Sequence, residues 1–69
     1  MTLDAQASFV TEVQRACREA RESRSKAALE KAAELINSSA FKSLPLGSRE
    51  DLSEAYARAH LMVTAAGAA

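Results

Sequence analysis

Ala20-Arg21-Glu22-Ser23-Arg24-Ser25-Lys26-Ala27-Ala28 is the stretch on which the fold turns. Before it, Phe9, Val10, Val13, Ala16, Cys17 and Ala20 recur at intervals of three and four, which places them on one face of a helix. After it, Ala28, Leu29, Ala32, Leu35 and Ile36 form a second apolar set. At about 100° per residue, the centre of that set lies roughly 100° round from the first. One straight helix would carry two misaligned stripes. Serine is a weak helix-interior residue and a good N-cap, so Ser23 and Ser25 favour a break where the phase changes. The alternative is one long bent helix with partners on two sides. The preferred reading is a helical hairpin.

Working outward, Thr2 or Asp4 can cap the first helix, and Asn37-Ser38-Ser39 reads as a stop and turn. Pro45 biases Leu44 away from helix, so Phe41, Leu44 and Leu46 are expected to cross the helices as a lid. Ser48-Arg49-Glu50-Asp51 has the form of a helix start: a capping serine with carboxylates near the orphan N–H groups. Leu52, Ala55, Tyr56, Ala59, Met62 and Val63 follow on one face, and Gly67 marks the expected end. The sequence therefore predicts an all-α fold. Residues 1–69 make a single small three-helix domain, with helices near 4–22, 25–38 and 49–65. A hairpin is completed by a third amphipathic helix, with Leu52, Tyr56, Ala59 and Val63 packed on Phe9, Val13 and Leu35.

Sixteen of the 69 residues are alanine, a strong helix former that buries little area. A core built this way is thin, and a chain of this length gains from a staple or a partner. The single cysteine rules out an intrachain disulfide. Oligomerisation is the remaining route, and the first helix is its expected site. Its apolar face is wider than one neighbour covers, which makes Val10, Val13, Cys17 and Ala20 the candidate seam of a symmetric homodimer.

Nine basic and nine acidic residues cancel, so no global field draws in a polyanion. The basic residues are unevenly spread: Arg15, Arg18, Arg21, Arg24 and Lys26 fall within twelve positions. Glu12, Glu19 and Glu22 interleave with them and leave residues 12–26 at +2. That segment reads first as a salt-bridged solvated face and second as a surface for an acidic protein or nucleic acid. A helix-turn-helix does not fit, because the link after the second helix is too long for its tight turn.

Catalytic patterns fail on chemistry. His60 sits among Glu54, Arg58 and Thr64 with no nucleophile elbow or glycine-rich oxyanion loop, and reads as a surface histidine. Glu30 and Glu34 share a helix face without a further ligand nearby. One cysteine and one histidine do not make a four-ligand zinc site, and Gly47 and Gly67 alone make no phosphate loop. Cys17 reads as a small buried apolar residue.

No apolar run reaches membrane-spanning length and no signal-peptide pattern opens the chain, so a cytoplasmic location is the default. The expectation is a non-enzymatic protein–protein interaction module without cofactor or metal. It would be an adaptor, inhibitor, immunity-type or assembly subunit that meets an unidentified protein partner and its own copies. The alternative is a nucleic-acid-associated protein using the Arg15–Lys26 segment.

Overall fold

The computed structural model describes residues 2–68, with side-chain surroundings through residue 65. Among the described residues there are four helices: α1 (Leu3–Ser23), α2 (Lys26–Ile36), α3 (Ser39–Lys42) and α4 (Leu46–Ala68). The three-helix description therefore needs correction, and the added element is the one-turn α3.

Local chemistry explains each boundary. Thr2 caps α1, its hydroxyl accepting from the Ala5 N–H at 3.1 Å. Asp4 lies in the first turn and Arg21 in the last, each with the sign that suits the helix dipole. The helix stops at Ser23 because Arg24 turns left-handed, with φ 50° and ψ 40°. This conformation ends helices well but favours glycine, and here an arginine adopts it. Ser25 then caps α2 by accepting from the Ala28 N–H at 3.1 Å. A two-residue link between helices leaves them no option but to pack back as a hairpin.

Asn37 closes α2 with two bonds to the Ala33 carbonyl, one from its N–H at 3.0 Å and one from its side-chain amide at 2.9 Å. Ser38 does double duty. Its hydroxyl donates to the Leu35 carbonyl at 2.6 Å and accepts from the Phe41 N–H at 3.4 Å, so the stop signal is also the cap of α3.

Ser48 does not start the last helix. The Pro45 carbonyl accepts the first helical bond, from the Arg49 N–H at 3.0 Å, and α4 begins at Leu46. Proline costs nothing there, since its missing N–H would have been an orphan at a helix start. Glu50 and Asp51 consequently fall beyond the first turn, which holds no acidic residue. The helix also runs through Gly67 to Ala68.

α4 packs along both α1 and α2, and α3 rests against α2. Leu44 enters the core and Phe41 packs at its edge, but Leu46 is mostly exposed, so the lid is two residues and not three. Val13 and Leu52 are the largest fully buried side chains. Around them, Ala16, Ala20, Ala28, Ala32 and Ala59 are buried, with Cys17, Leu29 and Val63. Alanines at the contact let the helices come close and bury little area each. Phe9, Val10, Leu35, Ile36, Ala55 and Tyr56 are only partly buried around this centre. Tyr56 is thus peripheral to a core it was expected to anchor, and its ring lies 6.0 Å from that of His60.

Candidate functional site

The four residues expected to form a dimer seam divide. Val13, Cys17 and Ala20 are buried in the chain's own core, and Val10 alone of the four remains partly open. Opening that seam to a second copy would expose the packing that holds α1 to its neighbours. Burial also raises the Cys17 thiol above its ordinary range, an effect that Arg21 nearby partly offsets. The thiol is therefore a weak nucleophile at neutral pH.

Arg15, Arg18, Arg21, Arg24 and Lys26 are all exposed. They do not form one patch. Arg15 lines an open groove of about 580 Å³ between α1 and α2, where Glu12, Glu19 and Lys31 also sit over a floor that includes Ala16 and Ala28. Arg18 and Arg21 lie on the other side of α1, beside Gln14 and the Ala55 of α4. Arg24 lies in the two-residue link and Lys26 opens α2. Arg18 approaches Glu22 at 4.0 Å, an exposed contact at the limit of an ion pair, worth little.

The surface that sequence reasoning missed is on α4. Its inward stripe is Leu52, Ala55, Tyr56, Ala59 and Val63. Leu61 lies opposite that stripe and is 70% exposed, with Met62 beside it at 36%. Met62, expected on the inward face, sits on its outer shoulder. Ala57, Thr64 and Ala65 are exposed around Leu61 at helical spacing. Arg58, three residues before Leu61 and so on the same outer face, is exposed and bonds Glu54 at 2.6 Å, which gives the patch a charged edge on its N-terminal side. Beyond it, His60 is the one titratable side chain before the end of the sequence. A helix that is apolar on both faces is ordinarily covered on both. The signal was available in the sequence as the loss of charge after Arg58.

Chemical groups are sparse. His60 is exposed on α4, while Glu30 and Glu34 are exposed on α2. Among the described residues no group of three or more His, Cys, Asp or Glu side chains is placed to hold a metal ion. No helix of the described residues is long and apolar enough to cross a membrane. No protein-family model matches the chain, and neither does a curated protein or a solved structure.

Proposed function

We propose that the protein is a helical interaction module that binds another protein through the outer face of α4. One observation carries the reading: Leu61 stands 70% exposed, beside Met62, on a stretch of helix without formal charge. Single exposed leucines are ordinary, but adjacent large apolar residues flanked by small ones, here Ala57, Thr64 and Ala65, mark contact surfaces. The rest of the design agrees. The core is small, the inward face of α4 is already used, and the outer face adds nothing to the stability of the chain alone.

The test is capture of partners from the native host with three baits: wild type, Leu61→Glu, and Arg15→Glu/Arg18→Glu. The reading expects a partner that wild type and the arginine variant retain and that Leu61→Glu loses, with all three baits melting alike. Retention by Leu61→Glu with loss by the arginine variant moves the contact to α1. The exposure of all five basic residues between Arg15 and Lys26 supports a second reading, a nucleic-acid-associated protein. In that case binding to nonspecific duplex falls steeply with added salt, and no binding at low salt removes it.

A further inference from the structure

We infer that the link between α1 and α2 is a hinge through which two copies exchange α1. In the closed form α1 folds back on its own α2 and α4. In the open form residues 23–25 turn helical, α1 and α2 become one helix, and α1 packs on the α2 and α4 of a second copy, which returns its own α1. Exchange of α1 is independent of the α4 outer face and goes beyond the reading of that face as a protein contact.

The closed link carries three unfavourable features. Arg24 holds φ 50° and ψ 40°, and it is the one residue with positive φ among those described. Asn37 and Ser43 close α2 and α3 with backbone hydrogen bonds, but among those found in the described residues none does so at Arg24. The last carbonyls of α1 thus lack the partners that usually satisfy a helix end. Lys26 opens α2 with its charge against the dipole, and no acidic residue offsets it in that first turn.

Straightening removes all three. Residues 20–28 contain no glycine or proline, and their alanines, arginines and lysine are good helix formers. In a continuous helix Arg24 relaxes, and the last carbonyls of α1 accept from N–H groups of α2. Glu22 then lies one turn before Lys26, the favourable order for such a pair. What is lost is the Ser25 cap on the Ala28 N–H, which bonds the Arg24 carbonyl instead. The connection between α2 and α4 has no such option. Asn37 and Ser38 hold it with hydrogen bonds, and Pro45 lacks the N–H that a continuous helix needs.

What α1 covers specifies its partner. Val13 and Ala20 are 0% exposed, so α1 leaves its own core only for an equivalent one. The surface that fits α1 is the α2 and α4 of another copy. Exchange keeps every contact of the core, which leaves the balance to the link and to concentration, and short strained links are where such exchange arises. The α4 outer face takes no part, so the open form presents two copies of it on one particle.

The experiment unfolds the chain, refolds it over a range of concentrations and measures dimer by sedimentation, for the parent, Arg24→Gly, Ser25→Ala and Leu61→Glu. The parent should give a dimer fraction that grows with refolding concentration. Arg24→Gly relieves the closed link and weakens the open helix in both copies, and should lower the association constant about a hundredfold or more. Ser25→Ala removes the cap of the closed form and should raise it about tenfold or more. Leu61→Glu should leave it unchanged. In a dimer refolded from isotope-labelled and unlabelled parent chains, nuclear Overhauser signals should connect the Val13 methyls of one chain to α2 or α4 of the other. Val13 has no exposed surface, so two closed chains set face to face cannot give such signals. Parent and Ser25→Ala chains that both stay monomeric after refolding at millimolar concentration overturn the inference. So does a dimer that Arg24→Gly leaves unchanged, one that Leu61→Glu abolishes, or one without interchain signals at Val13.

Discussion

Replacing Arg24 with glycine should stabilise this protein, although the substitution removes a side chain and adds no contact. Arg24 holds φ 50° and ψ 40°, and it is the one non-glycine residue with positive φ among those described. The left-handed conformation costs an L-residue about 1–2 kcal/mol, a cost glycine escapes. Glycine gives back about 0.5–1 kcal/mol through the greater freedom of its unfolded chain. The difference spans about 0–1.5 kcal/mol in favour of the variant. At its midpoint, for a domain of this size, that raises the melting temperature by about 3–6 °C. Arg24 makes no hydrogen bond or ion pair that would be lost among those found in the described residues. The assay is thermal unfolding by circular dichroism for R24G, with R24A and S25A beside it. R24A should sit near the parent. S25A, which loses the bond to the Ala28 N–H, should fall by about 1 kcal/mol. An R24G protein that melts below the parent would refute the reasoning and show that the guanidinium of Arg24 holds the turn.

Leu52, 1% exposed at the centre of the core, should lose about 2–5 kcal/mol on truncation to alanine, which approaches the whole stability of a small domain. Half-buried Tyr56 should lose less, and denaturant melts that reverse this ranking would displace Leu52 from the core centre. Because burial raises the folded-state pKa of Cys17, the thiol contributes stability that is full below its unfolded value and is lost as pH rises through the folded one. Melts taken from neutral to alkaline pH should therefore fall more steeply in the parent than in Cys17→Ala. Among the described residues no hydrogen-bond partner meets the buried Nε of Arg49, near the start of α4, where a positive charge opposes the dipole. Arg49→Gln should accordingly melt at or above the parent temperature, and a clear loss would reveal a partner for that guanidinium.

The amino acids announced some of this structure and hid the rest for physical reasons. The phase change between the Phe9–Ala20 and Ala28–Ile36 sets marks where the chain turns, because two misaligned stripes need two helix axes. Nothing in the residues themselves announces a left-handed Arg24, since the usual glycine is absent. α3 is a single turn, too short for periodicity to register. Ser48 looked like a cap by composition, yet Pro45 was already a favourable helix start three residues earlier. The site was less legible than the fold. Val13, Cys17 and Ala20 form an apolar face in any reading, but which neighbour covers a face is a tertiary fact, and here it is the chain itself. Leu61 falls opposite the Leu52–Val63 stripe, so its exposure was implied once that stripe was placed. Residues 59–69 hold no Asp, Glu, Lys or Arg, which is the part of the pattern that sets this stretch apart.

Amide chemical shifts of the labelled chain, recorded with and without the protein that the wild-type bait captures, test the central claim most directly, because they report which residues feel the partner. The account predicts that the shifts gather on Ala57, Leu61, Met62 and Ala65 and vanish in Leu61→Glu, while Arg15 to Lys26 stays still. Shifts centred on the Arg15–Lys26 segment would contradict it.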